Sequence, residues 1–271
     1  FMSFLMQLTP ARRFFYGVSF CGFVIGMIAA KDLWILCAFI ILNLLLALEL
    51  ADKLTTRDEL EIAREIQVSL EPKQLPEISG LSLSFSSKPA KIVGGDFFNV
   101  VKRNENQMLS ILGDVAGKGI PAALYAAHIQ SMFESLSEQS TSPANILNDL
   151  NQLICRRLRE GDFITAVIAF FDFADNSVAI ARAGHNWPLY YSAKTRTVAE
   201  LKPHGMSIGL LENEQFSDHL EEEKIYLNKG DFLLLYSDGV TEATNSQNRM
   251  FETSGLKSVI TECAHESSDM I

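Results

Sequence analysis

Val93-Gly94-Gly95-Asp96-Phe97-Phe98, Leu112-Gly113-Asp114-Val115-Ala116-Gly117-Lys118-Gly119 and Tyr236-Ser237-Asp238-Gly239-Val240-Thr241-Glu242-Ala243 set the reading of this chain. Each places an aspartate at the end of an apolar, strand-like run, beside at least one glycine. A carboxylate there points off a sheet edge, and the glycines allow positive φ and close approach of backbone to a ligand. Taken singly, Gly-Asp and Asp-Gly pairs mark turns. Three such carboxylates converging would suit hard divalent cations, which take oxygen ligands. Two cations about 3.5–4 Å apart can clamp a phosphate for phosphoester hydrolysis.

Further words accompany these: Ala63-Arg64-Glu65-Ile66-Gln67 and Ala183-Gly184-His185-Asn186. In order and spacing, from about residue 60 onward, the set resembles the metal-dependent serine/threonine phosphatases (the PPM family), specifically their SpoIIE/RsbU branch. The resemblance implies an α+β fold, an αββα sandwich of two mainly antiparallel sheets flanked by helices. It implies that Asp96, Asp114 and Asp238 are metal ligands, joined by the backbone carbonyl of Val115. The implied cofactor is Mn²⁺ or Mg²⁺, two ions with a third left open. The implied reaction is single-step attack on phosphoserine or phosphothreonine by metal-activated hydroxide. No cysteine nucleophile is expected, and the chain lacks a CxxxxxR run.

Lys118 reads either as a contact to substrate phosphate or as a solvated turn lysine. His185 reads either as a candidate acid or as a structural hydrogen-bonder between strands. Asp231 and Glu242 read as turn acids or outer supports of the site. Asn99 stands where the family often carries Asp, a departure expected to weaken tuning of the metal ligands. The family's last helix, final strand and Asp-Asp-hydrophobic-Thr run are expected beyond Ile271. Glu266-Ser267-Ser268-Asp269-Met270-Ile271 echoes that run only superficially, so a phosphatase domain over 75–271 is expected to be C-terminally incomplete. Phe1 ahead of Met2 likewise reads as an excised piece.

Charge is unevenly distributed. Residues 51–271 hold 20 of the 23 Lys/Arg and 31 of the 33 Asp/Glu, a net of −11. So acidic a part excludes nucleic acid, whose phosphates it would repel. It also means that a phosphorylated partner would need local metal charge. Cys21, Cys37, Cys155 and Cys263 are scattered without CxxC or Cys/His ligand spacing, which supports neither a disulfide framework nor zinc. A reducing compartment fits.

Residues 1–50 predict a membrane hairpin, with helices over about 14–30 and 33–50 separated by Lys31 and Asp32. Arg12 and Arg13 precede the first helix, and Lys53, Arg57 and Arg64 follow the second. The positive-inside bias therefore puts both ends, and the catalytic domain, in the cytoplasm beside the inner membrane. A signal peptide is the competing reading, with a poor cleavage pattern at Ala29-Ala30. The last hairpin of a longer sensor region is another.

Residues 51–74 predict a helical linker free of Gly and Pro until Pro72, with Leu60, Ala63, Ile66, Gln67 and Leu70 at helical spacing. Thr55 and Thr56 interrupt that periodicity. In the phosphatases it resembles, this helix dimerises and relays a signal. Ile66, Gln67 and Leu70 are thus the expected regulatory positions of a homodimer.

Within 75–271, Leu81, Leu83 and Phe85 alternate with serines as a strand would, ahead of a break at Lys88-Pro89-Ala90. Strands are predicted over 97–102, 108–114, 163–173, 178–183, 187–192, 197–201 and into Asp238. Helices follow Gly117, Ser142-Pro143 and Leu256. The partner implied by the resemblance is a phosphorylated STAS-type (anti-anti-sigma) regulatory protein. The competing function is a pseudophosphatase that docks a phosphoprotein. A histidine-kinase remnant fails for want of phosphoacceptor and ATP-binding motifs.

Overall fold

The structure, a computed structural model, describes residues 8–29, 32–72, 74–78, 80–88 and 92–264. Of the sequence features above, Phe1 and Met2, Ala30 and Lys31, Pro89-Ala90 and Glu266–Ile271 lie outside them. Two compact units divide the chain between Ile62 and Ala63.

The first unit contains helix α1 (Pro10–Ala29) and the greater part of helix α2 (Asp32–Leu70). Both are long and apolar enough to cross a membrane, with mean hydropathy of 1.2 and 2.5 over their best windows. Small residues let them approach closely. The Ser19 hydroxyl donates to the Ala38 carbonyl at 2.8 Å, and a Cβ on Gly26 would meet Ile35 at 2.7 Å. Phe14, Phe20, Ile28, Leu33, Phe39 and Leu46 point outward. Beyond the apolar stretch, Arg12 of α1 is paired with Glu49 and Asp52 of α2.

The threonine pair interrupts the apolar periodicity of α2 without interrupting the helix. Thr55 and Thr56 donate back to the carbonyls of Ala51 and Asp52 at 3.0 and 2.9 Å, so their hydroxyls are satisfied within the helix. Helix and linker are therefore one uninterrupted element.

In the second unit, β1 (Phe97–Asn104), β2 (Gln107–Val115), β3 (Ile164–Asp172), β4 (Ser177–Ala183) and β7 (Glu222–Tyr226) form a five-stranded antiparallel sheet in the order β1-β2-β3-β4-β7. β5 (Leu189–Ser192), β6 (Thr197–Glu200) and β8 (Phe232–Leu234) form a second sheet in the order β6-β5-β8. Helices α3 (Ile120–Gln139) and α4 (Pro143–Ile154) cover the first sheet, and α7 (Glu252–Cys263) covers the second. Short helices α5 (Asn213–Asp218) and α6 (Asp238–Thr241) fill the connections. Helices outside two stacked sheets give the expected αββα sandwich.

Alternation along the strands separates two cores. Leu109, Ile111, Ile164, Ala166 and Ile168 face α3 and α4, meeting Ile129, Phe133, Ile146 and Leu150. Met108, Val167, Ala169, Val178 and Ile180 face the space between the sheets. The central strand β3 is buried on both faces, as its apolar run predicts.

The α4 start shows how locally determined these pieces are. Pro143 occupies the first turn, and the Ser142 hydroxyl accepts from the Asn145 amide at 3.3 Å. Glu222 of β7 adds a carboxylate at the same helix end, accepting from the Ser142 hydroxyl and the Ala144 amide. Ser142→Ala should lower unfolding free energy by about 1 kcal/mol, the usual cost of a lost cap, measured by urea denaturation.

One expectation fails here. Leu81, Leu83 and Phe85 form no strand; Ile78 and Leu81 make only an isolated bridge. Leu81 and Leu83 pack against the inter-sheet core, and Phe85 lies on the Phe98 ring at 4.4 Å. Alternation reports burial on one side, and burial does not by itself supply a backbone partner.

Candidate active site

The register of the five-stranded sheet decides which side chains meet. Asp114 pairs with Thr165, and Phe97 pairs with Gly113. Asp114 therefore faces the inter-sheet side, with Thr165 beside it. Asp96 immediately precedes β1, and Asp238 opens α6 after β8 of the second sheet.

The three aspartates come together at one end of the sandwich. The Asp114 carboxyl is pushed up to about 7, first by burial, then by Asp96, which also shares a hydrogen bond with it, and further by Asp238. Ser237 donates to Asp96 Oδ2 at 3.0 Å, tying the third acidic segment to the first. Gly95 leaves the room this arrangement needs. A Cβ there would stand 2.6 Å from the Val115 carbonyl oxygen and 2.7 Å from Asp114 Oδ1. Those two oxygens thus share the space that only glycine leaves open.

Among the described residues, no group of three or more His, Cys, Asp or Glu side chains is spaced to hold a metal ion as the side chains stand. Like charges brought this close repel, and Asp114 registers that repulsion, after burial, in its proton affinity. The donors are all oxygens, anionic or carbonyl, with no imidazole or thiolate among them. That set fits a hard divalent ion such as Mg²⁺ or Mn²⁺.

The remaining candidates separate. Lys118 is exposed on the turn between β2 and α3, where Gly117 and Gly119 take φ of 111° and 79°. His185 is buried, with Nδ1 2.9 Å from the Thr165 hydroxyl, which also lies 3.3 Å from the Asp114 carbonyl oxygen. Burial pulls the imidazole down to about 4, against the opposing pull of Asp238. At neutral pH the ring is therefore uncharged and a poor general acid, and it braces Thr165 beside Asp114. Because its ordinary value is about 6.5, stability is fully present above that pH and is lost as pH falls toward 4. His185→Gln should flatten this acid-side loss, by about 2–3 kcal/mol, in urea midpoints compared at pH 7 and 4.5.

Asp231 is a turn acid, accepting from the Tyr190 hydroxyl, the Ala193 amide and Asn228. Glu242 is exposed. Asn99 is buried and donates to Glu134 of α3. Of the helix positions, Ile66 is exposed, while Gln67 reaches the loop before Asp96. Its amide donates to the Gly94 carbonyl at 2.9 Å and accepts from the Gly94 amide at 3.3 Å. Arg64 donates to the Ile92 carbonyl nearby.

Two contributors were not singled out from the sequence. Thr165 emerges only from strand register. Arg182 is the one charged side chain in Ser177-Val178-Ala179-Ile180-Ala181-Arg182-Ala183, a signal that was present. It lines a cleft of about 300 Å³ with His185, Asn186, Trp187, Tyr236, Thr241 and Thr253.

The family described as Stage II sporulation protein E (SpoIIE) matches residues 104–271. Phosphoserine phosphatase RsbU of Bacillus subtilis strain 168 is 34% identical over 209 residues, 76% of this chain and 60% of that protein. Protein IcfG of Synechocystis is 24% identical over 244 residues, 80% of this chain and 38% of that protein. The chain thus spans less than two thirds of the length of these relatives. Among solved structures, the SiaA-PP2C domain of Pseudomonas aeruginosa superposes with a TM-score of 0.68 at 21% identity, covering 81% of this chain and 87% of that one. The RsbU and RsbW domains of Rv1364c from Mycobacterium tuberculosis give 0.56 at 19%, covering 65% and 48%. These two likenesses concern the fold.

Proposed function

Because the chain belongs to the SpoIIE family of metal-dependent phosphatases, we propose that it is a membrane-tethered protein phosphatase that hydrolyses phosphoserine or phosphothreonine on a regulatory protein. The observation that carries this reading is the meeting of Asp96, Asp114 and Asp238 beside the Val115 carbonyl. Asp96, Asp114, Asp238 and the Val115 oxygen would hold Mn²⁺ or Mg²⁺. Such ions polarise a phosphoryl oxygen and lower the pKa of bound water.

The chain's own residues set the stage for that chemistry. Ser237 fixes the Asp96 carboxylate by donating to it. Thr165, braced by neutral His185, holds the β2–β3 edge at Asp114. Gln67 anchors the Gly94 backbone two residues before Asp96.

A phosphorylated STAS-type protein is the proposed substrate. The support is similarity to RsbU and RsbP, both named phosphoserine phosphatases, and a fold shared with a protein that joins RsbU and RsbW domains. Membrane attachment through α1 and α2 is supported by their length, hydropathy and outward apolar side chains. The paired Arg12, Glu49 and Asp52 would lie on the cytoplasmic side.

The test uses the full chain in detergent with Mn²⁺, p-nitrophenyl phosphate and a phosphoserine-bearing STAS protein. Cation-dependent phosphate release, absent in Asp114→Asn, is expected. Phosphoprotein binding without release would point instead to a docking module.

The linker helix is part of the same proposal. Ile66 is 58% exposed while Gln67 turns inward, which suits a helix that faces a second copy on one side and the Asp96 loop on the other. Ile66→Asp should weaken self-association and lower activity. Sedimentation and turnover both unchanged would defeat this part of the reading.

A further inference from the structure

Arg182 stands in the inter-sheet space without an anionic partner. Nε donates to the Pro203 carbonyl at 3.2 Å and Nη1 to the His185 carbonyl at 2.8 Å, which fixes the guanidinium plane. Among the described residues no carboxylate pairs with it, and Nη2 donates to nothing. Burial lowers its proton affinity, the expected cost of a cation half withdrawn from water with no counter-charge. Guanidinium groups held this way present a planar fork suited to a carboxylate or phosphate.

The other residues lining its cleft are neutral, with Asn186, Thr241 and Thr253 beside Trp187 and Tyr236, and Lys202 lies over the Trp187 ring at 4.1 Å. His185 and Tyr236 line the same cleft, and the buried His185 ring has the Tyr236 backbone as a polar neighbour.

Position relative to the aspartates follows from register. Asp114 pairs with Thr165, Thr165 and Val167 share a face, and Val167 pairs with Arg182. Arg182 is thus on the same face as Asp114, two strands across and one pleat along. With strands about 4.8 Å apart, the two Cα positions are separated by roughly 12 Å. An extended peptide covers that in about three to four residues.

Resting on the phosphatase reading above, we propose that the Arg182 cleft is a specificity subsite that takes an acidic side chain of the substrate protein, about three residues from its phosphoserine. The domain's net negative charge repels acidic segments at long range. A fixed local cation then selects the segment whose carboxylate falls on it. A carboxylate is favoured over the phosphate because the phosphate belongs among the aspartates and their ions.

The experiment reads binding rather than turnover. Trp187 lies on the cleft and Trp34 is the only other tryptophan, so Trp187 fluorescence in a Trp34→Phe background of the full chain in detergent reports occupancy. Two unphosphorylated peptides are titrated, alike except for Glu or Gln at the third position from the serine. The Glu peptide should bind about tenfold more tightly, the scale of a charge-assisted hydrogen bond. Arg182→Gln should erase that preference and Arg182→Lys restore part of it. Asn186→Asp, which puts a carboxylate on the cleft wall and leaves the Arg182 anchors in place, should erase it too. No preference in the parent chain, or a preference that survives both Arg182→Gln and Asn186→Asp, overturns the subsite. Equal displacement of both peptides by millimolar inorganic phosphate assigns the cleft to phosphate and overturns the carboxylate. A chain that discriminates between the peptides but hydrolyses no phosphoester leaves the subsite standing while the phosphatase reading falls.

Discussion

Asp114→Asn should abolish cation-dependent phosphate release while making the cation-free protein more stable at pH 8. The loss should reach about a thousandfold, the scale at which a single electrostatic catalytic group is missed. The gain follows from the sign of the shift. The Asp114 carboxyl sits at about 7 in the folded chain, above its ordinary value, so the folded state holds the proton more tightly than the unfolded one. The Asp114 contribution to stability is therefore greatest below pH 4, declines as pH rises toward 7, and stays at its reduced level above. Removing the charge restores what ionisation costs beside Asp96 and Asp238. After allowance for solvent screening at a half-exposed group, that is about 1–2 kcal/mol. Thermal unfolding at pH 8 without divalent ions, and again with millimolar Mn²⁺, checks both halves. Mn²⁺ should raise the parent's Tm by mass action and leave Asp114→Asn almost unmoved. A variant that is less stable than the parent at pH 8 without ions would show that Asp114 is held by favourable contacts and not against repulsion.

Gly113→Ala should be the most damaging small substitution near the site. A Cβ at Gly113 would stand 2.4 Å from a Phe97 ring carbon and 2.4 Å from the Thr165 carbonyl oxygen. Phe97 is buried in the helix-side core, and the Thr165 oxygen is strand backbone, so neither can step aside cheaply. The expected cost is about 2–3 kcal/mol, the upper range for overpacking. Gly117→Ala is the comparison, since its Cβ meets nothing within 4 Å and only its φ of 111° opposes the change. Urea midpoints separate the two, and Phe97→Leu in the Gly113→Ala background should recover part of the loss. A Gly113→Ala variant within 0.5 kcal/mol of the parent would contradict this close packing.

Much of the fold was legible because its strands announce themselves in apolar runs ending at turn residues. Ile164–Asp172 reads as a strand buried on both faces and is one. The Ser142-Pro143 pair marks a helix start and caps it. The convergence of the aspartates was legible only through the resemblance, since nothing local brings Asp238 back across the sandwich to Asp96. What escaped was tertiary in origin. β7 alternates Glu222, Lys224 and Tyr226 outward against half-buried Glu223 and Ile225, too polar a pattern to declare a strand without β4 beside it. Leu81–Phe85 shows the reverse, a strand-like pattern that packs by side chains alone. Arg182 acquires meaning only once the register places it on the Asp114 face.

The sheet margins carry a consequence for how partners are recognised. Among the described residues β1 and β7 are outermost in the five-stranded sheet. β7 is short and bears Glu222, Glu223 and Lys224, while the far end of β1 bears Lys102 and Arg103. Charge on both margins, and the shortness of β7, discourage a foreign chain from adding itself to this sheet as a sixth strand. If the proposed phosphoprotein substrate is right, its selection would fall to individual side chains meeting individual pockets.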